Sequence, residues 1–242
     1  MFIQNWSWID YQSLSSTNDL AFEYSKHYDK TPHVFTAIVQ TAGRGRRGRN
    51  WVSEQGNLFM SQLFQSDMPI TYLVFIASLS IAETISELTS GLTINIKWPN
   101  DILIADKKVC GILIEKAEND SVIIGIGINL VSSPEDSVVM YPAIDLKKLG
   151  FTIYREQFLQ SYLKIFNDNI QKYHTQSFNA IRTKWLSFAY RLNQIISINQ
   201  GKGCLKGVFK DIDEQGYLLL EQENNVQRIT TGDIMSSTEE KK

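Results

Sequence analysis

Little in this 242-residue chain points to disulfide, metal or membrane chemistry. The two cysteines, Cys110 and Cys204, lie far apart without metal-ligand spacing, which points to a reduced, cytoplasmic compartment rather than a secreted disulfide scaffold. The three histidines, His27, His33 and His174, show no ligand spacing either. Residues 1–11 lack the basic-then-apolar order of a signal peptide. No apolar run reaches the roughly 18 residues that span a bilayer, the longest being interrupted by Ser78, Ser80 and Glu83. An excess of one charge is missing too: 24 basic and 26 acidic residues leave a net charge of −2. That argues against the broad basic face of a protein that neutralises many phosphates. Hydrophobic residues make up 43% of the chain, enough to bury the core of one large domain, alone or with a small one.

Positive charge is local instead. Gly43-Arg44-Gly45-Arg46-Arg47-Gly48, followed by Arg49-Asn50-Trp51, puts four guanidinium groups on a pliable backbone. Arg offers permanent charge and bidentate donors to carboxylate or phosphate, and Gly lets main-chain N–H groups approach the same oxygens. The spelling satisfies the dinucleotide fingerprint G-x-G-x-x-G, but that motif needs a helix next, and Asn57 to Phe64 reads as extended. A P-loop is excluded because no Lys-Ser or Lys-Thr follows the glycines. A single-strand nucleic-acid tract and a solvated charged loop remain as rivals.

His33 to Thr41 reads as a buried strand that delivers Gln40 to this loop. Leu73, Ile76, Ala77, Ile81, Ile85 and Leu88 recur at helical spacing, with Gly91 as a stop. Ile94 to Trp98 reads as a strand ending at Pro99, and Val109–Ala117 with Ser121–Leu130 as a hairpin turning at Glu118-Asn119-Asp120. Two helices are predicted over Tyr154–His174 and Phe178–Phe188. After Ala189 the texture changes to short strands around turn signals at Gly201, Asp213 to Gly216 and Asn224-Asn225, which predicts a small β-barrel. The expected domains are therefore 1–190 and 191–242.

Three further clusters could carry chemistry. Lys97-Trp98-Pro99-Asn100-Asp101, with Lys108 and Gly111 behind it, would converge polar groups at a strand end; the plainer reading is a surface turn. Gly125-Ile126-Gly127-Ile128-Asn129 puts two glycines in an apolar strand, the mark of a close approach or, more simply, of a β-bulge. Ser15-Ser16-Thr17-Asn18-Asp19 precedes an amphipathic stretch and could be no more than a helix N-cap.

Together and in this order, the four clusters resemble the biotin–protein ligases, the biotin–[acetyl-CoA-carboxylase] ligase or holocarboxylase synthetase family, from about residue 8 to the C-terminal module. The resemblance implies an α/β (α+β) fold: a mixed β-sheet flanked by helices, of the class II synthetase-like biotinyl/lipoyl ligase type, followed by an SH3-like β-barrel. It implies that ATP and biotin give biotinyl-5′-AMP, and that the biotinyl group then passes to a lysine of a biotin carboxyl carrier protein. Biotin would be held by Ser16, Thr17, Asn18, Gln40, Gly43, Arg44, Gly45, Arg46, Lys108, Gly111 and Gly127. The nucleotide would be held by Arg46, Arg49, Trp51, Asn100 and Asn129, with Trp51 facing adenine. Lys108, Arg46 and Asp101 would act in catalysis, Asp101 by holding Lys108 or by accepting the proton of the acceptor amine.

Mg2+ is expected with ATP, on phosphate oxygens rather than in a protein cage. Too few residues precede Ser15 for the DNA-binding domain of some members, so the catalytic-only type is expected, with no DNA and no membrane as partner; the family's side-by-side homodimers are not decided by any surface pattern. A lipoate–protein ligase is the nearest enzymatic alternative, and a non-catalytic module for single-stranded nucleic acid the alternative of another class. The arginine loop is expected to be mobile when empty, through mutual repulsion, and to order on an anion.

Overall fold

The computed structural model describes residues 2–135, 137, 139, 141–201, 203–223 and 225–235; the expected turn residue Asn224 and the end of the 191–242 domain lie outside them. Eight strands form the main sheet: β1 Phe2–Ile3, β2 Trp6–Leu14, β3 His33–Gln40, β4 Leu58–Gln65, β5 Ile94–Lys97, β6 Asp101–Ile104, β7 Lys107–Lys116 and β8 Ser121–Ile128. Their order is β1-β2-β3-β4-β8-β7-β6-β5. The β2–β3 pair is parallel and the others are antiparallel, the mixed sheet expected.

Strand periodicity divides labour between the two faces. On β8, Ile124, Ile126 and Ile128 point into the main core, whereas Ile123 joins the small cluster of Ala21, Phe35 and Leu63 beneath α1, Thr17–Ser25. Gly125 and Gly127 lie on that second face by alternation. Opposite the helix, the apolar face is covered by α2, Ile70–Leu88, and α3, Arg155–Leu186. Trp185 of α3 is fully buried, its ring 4.7 Å from that of Phe75 on α2. At 19 residues α2 is long and apolar enough to cross a bilayer, which corrects the expectation that no segment is; 61% of its apolar window is buried in this core. The two helices predicted beyond Tyr154 are continuous except at Ser177, whose φ of 67° breaks the helical run.

The C-terminal module is an antiparallel sheet of β9 Ile195–Asn199, β10 Cys204–Ile212, β11 Leu218–Gln222, β12 Asn225–Ile229 and β13 Asp233–Ile234, in the order β12-β11-β10-β9-β13. This is the SH3-like element expected. Its buried Ile198, Phe209, Leu218 and Leu220 belong to the same core cluster as the main sheet, and Tyr72 Oη on α2 donates to the Glu214 carbonyl at 2.7 Å. The module is thereby seated against the larger sheet, with β13 next to the arginine loop.

Candidate active site

The glycines of β7 and β8 form the floor. Gly111 lies directly opposite Gly127, and Gly125 opposite Leu113 and, on β4, Ser61; neither pairing is interrupted by a bulge. The close-approach reading therefore holds. A Cβ on Gly127 would lie 2.4 Å from the Trp51 indole, and one on Gly125 only 2.1 Å from Asn18 Oδ1. Gly125→Ala is accordingly expected to cost about 1–3 kcal/mol through overpacking and to weaken binding of a ligand in this cavity, read together by denaturation and calorimetry. Unchanged affinity would detach this floor from ligand recognition.

At one end of the floor, the start of α1 supplies a buried polar net. Ser16 caps the helix, accepting from the Asp19 N–H at 3.4 Å, so the capping reading holds as well. The Thr17 N–H donates to Gln40 Oε1 at 2.8 Å, Ser61 Oγ lies 2.5 Å from Asn18 Oδ1, and Asn18 Nδ2 donates to Glu115 Oε2 at 2.8 Å. Ser16, Thr17 and Asn18 are all under 5% exposed, and this end presents donors and acceptors whose geometry is already fixed.

The arginine loop forms a second wall, joined to the first through Arg44, Asp19 and Glu115. Gly43 does not line the cavity; a Cβ there would meet Ser53, Trp51 and Gln40 atoms at 2.7–2.9 Å, so glycine is required for the loop to close against its own stem. The expected repulsion among arginines is relieved by carboxylates from elsewhere in the chain. Arg44 pairs with Asp19 and Glu115, each at 2.8 Å. Arg46, Arg47 and Arg49 converge on Asp233 of β13, at 3.1, 3.3 and 3.0 Å, and Arg46 also donates to Asn100 Oδ1 at 2.7 Å.

Between the walls stands a cationic pair. Lys108 Nζ lies 2.6 Å from Asp101 Oδ1 and Lys97 Nζ 3.6 Å from Oδ2, with Lys97 also over the Tyr141 ring at 4.3 Å. Burial alone would raise the Asp101 carboxyl, but Lys108 and Lys97 reverse this and hold it below the usual range. Glu115 is likewise raised by burial and brought lower by its bonds from Arg44 and Asn18. Burial pushes the Cys110 thiol up, which keeps it inert beneath the site.

Because folding depresses Asp101 and Glu115, their stabilisation is fully present above the unfolded pKa values, about 3.9 and 4.3. It is lost as the pH falls through the folded ones. These contributions should stay level from neutrality to about pH 5 and decline below it, with a shallower decline in Glu115→Gln during acid unfolding. An acid limb left unchanged by that substitution would exclude the Arg44–Glu115 pair from stability.

One cavity of about 400 Å3 gathers Ser16, Thr17, Asn18 and Gln40 at one side, Arg44, Gly45, Arg46 and Arg49 at another, and Asn100, Asp101, Lys108, Gly111, Gly127 and Asn129 between them. Its size suits a drug-sized ligand. Trp51 sits over Gly111 and Gly127, the glycines expected to face biotin, with Lys108 Nζ 5.3 Å from its ring. Its Nε1 is buried against Gly127 without a hydrogen-bond partner, a polar atom left unsatisfied beside the cavity. Sequence reading missed Ser61, Glu115, Tyr141 and Asp233. Each is brought in by tertiary pairing, and only the cross-strand register could have identified Ser61. Among the described residues, no three His, Cys, Asp or Glu side chains group as metal ligands.

A cavity lined by Arg44, Arg46, Arg49 and Lys108 is suited to anionic ligands. A profile of the biotin/lipoate A/B protein ligase family matches residues 11–129, and one of the biotin protein ligase C-terminal domain matches residues 192–235. The chain is 36% identical over 232 residues to the bifunctional ligase/repressor BirA of Bacillus subtilis, covering 91% of this chain and 71% of that protein. It is 33% identical over 197 residues to the biotin–[acetyl-CoA-carboxylase] ligase of Paracoccus denitrificans, covering 76% and 82%. The Aquifex aeolicus biotin protein ligase, solved in complex with biotin and ATP, superposes with a TM-score of 0.84 at 29% identity over 95% of this chain and 98% of its own. The chain belongs to the biotin/lipoate A/B protein ligase family, on the biotin protein ligase branch.

Proposed function

We propose that this chain is an ATP-dependent biotin–protein ligase acting on the biotin carboxyl carrier protein of acetyl-CoA carboxylase. The observation that carries the reading is the single cavity in which a bare glycine floor, an orphan indole N–H and the Lys108–Asp101 pair meet the arginine loop. In the first half-reaction the biotin carboxylate oxygen attacks the ATP α-phosphorus, the bond to the β-phosphate oxygen breaks, and pyrophosphate leaves. Two anions must be brought together, so the catalytic need is fixed positive charge in fixed geometry. Lys108, Arg46 and Arg49 supply it. In the second, a deprotonated lysine amine of the carrier attacks the acyl carbon, an amide forms, AMP departs with the acyl-phosphate electrons, and the amine loses its remaining extra proton.

The polar net of Thr17, Asn18 and Gln40 suits the paired donors and acceptors of the biotin ureido ring. Asn100 and Asn129 flank the nucleotide side, and Trp51 borders both ligands from its seat on Gly111 and Gly127. With two ammonium groups on Asp101 and its pKa lowered, holding Lys108 in place is the role its surroundings support over that of a base.

Magnesium would arrive on the nucleotide's phosphates. The cavity carboxylates Asp101 and Asp233 are already engaged by cations, so the donor set does not fit a protein-held divalent ion and no step is derived through it. Two free cysteines support a cytoplasmic setting. Mass spectrometry of a purified carrier domain incubated with this chain, biotin and ATP is expected to show one biotinyl group added at one lysine. No added mass, or lipoyl transfer at an equal rate when lipoate is supplied, would overturn the assignment.

A further inference from the structure

Among the described residues, Asp233 is the one element of the cavity contributed by the C-terminal module, and its surroundings are unbalanced. Among the described ion pairs, three guanidinium groups, Arg46, Arg47 and Arg49, share this single carboxylate, an excess of two positive charges. Arg44, in the same loop, is matched by two carboxylates instead. The charge excess is therefore confined to the part of the loop nearest β13. Asp233 is held there by the backbone: it pairs with Asn199 across β13–β9, and Gly232 before it adopts a φ of +150° with no room for a side chain. Asp233 is about nine-tenths buried and lines the cavity that contains Lys108.

We infer that Asp233 is a resident counter-anion, which keeps three arginines gathered in the unloaded protein and is displaced from them when a nucleotide polyphosphate binds. The inference rests on the ligase reading for the identity of that polyanion. Phosphate oxygens within reach of Arg46 and Arg49 would compete for the N–H donors that now serve the carboxylate. They would also place like charge beside it, which is unfavourable when desolvated. A ligand carrying three or four negative charges satisfies the arginines better than one carboxylate does. Release of Asp233 then loosens the β13–β9 edge, so nucleotide loading and the seating of the C-terminal module become coupled equilibria.

Calorimetric titration of the full chain with inorganic pyrophosphate, without biotin, tests this. Asp233→Asn keeps the shape and removes the charge; it is expected to bind pyrophosphate roughly tenfold tighter than the unmutated chain, the equivalent of about 1.4 kcal/mol. A purely structural Asp233 predicts the opposite direction, because a loosened module presents its arginines less well. Equal or weaker binding, with or without magnesium, overturns the inference.

Should the variant fail to fold, amide hydrogen exchange on the unmutated chain decides. Pyrophosphate is expected to speed exchange at the β13–β9 pairing while protecting residues 45–49, and unchanged exchange at β13 overturns the inference. Biotin-dependent exchange of pyrophosphate into ATP, run in parallel, separates the two levels: exchange present without tighter binding in Asp233→Asn defeats only this inference. Absent exchange defeats the ligase reading.

Discussion

Replacing Lys108 by alanine is expected to slow biotin-dependent ATP–pyrophosphate exchange by about 10²–10³-fold, the loss seen when one preorganised charge-stabilising donor is removed. Biotin affinity should change far less. The ammonium is placed before any ligand arrives: Asp101 holds Nζ at 2.6 Å, and the Trp51 ring lies 5.3 Å away. A group fixed in this way pays no reorganisation cost when charge develops on the carboxylate and α-phosphate, so its removal should appear in turnover rather than in binding. Exchange at the unmutated rate would take Lys108 out of the mechanism.

Asp101→Ala should have the largest effect on stability. Lys97 is 3% exposed and loses its counter-charge in this variant, keeping only the Tyr141 ring as a partner among the contacts described above. Breaking a buried pair from one side typically costs about 3–5 kcal/mol. Urea denaturation should show that fall at unchanged m-value, and adding Lys97→Met should return much of it, because the stranded charge is then gone. A loss below about 1 kcal/mol would mean that water already reaches the pair. The same variant should also lower exchange activity, since Lys108 loses its anchor.

Much of this site was legible because its chemistry is written in short contiguous words. The Gly-Arg tract, Lys97 to Asp101, Ser16 to Asn18 and the Gly125/Gly127 alternation each meet in one cavity. The strand glycines were legible for a physical reason: isoleucines at Ile124, Ile126 and Ile128 fill the helix-covered face, so the intervening positions must face the other side. What periodicity left unseen was pairing. β2 is an early strand whose half-buried pattern carries no strong alternation, and its parallel partnership with β3 comes from the chain crossing over through α1.

β6 was missed because its four residues, Asp101–Ile104, squeezed between the Pro99-Asn100 turn and the Ala105-Asp106 turn, give too short a signal. Asp233 and Glu115 lie 184–187 and 71 residues from the arginines they meet, and no local pattern distinguishes them from other surface acids. The same limit explains why the arginine tract reads as self-repelling in sequence. Its compensating charges come from α1, β7 and the C-terminal module.

The central claim is that a carboxylate is activated by ATP within this cavity, and label exchange between pyrophosphate and ATP reports that step without needing a carrier. With the purified chain, radioactive pyrophosphate should enter ATP only when biotin is present, and lipoate should not substitute for it. Exchange that proceeds equally without biotin, or none under any addition, would contradict the account.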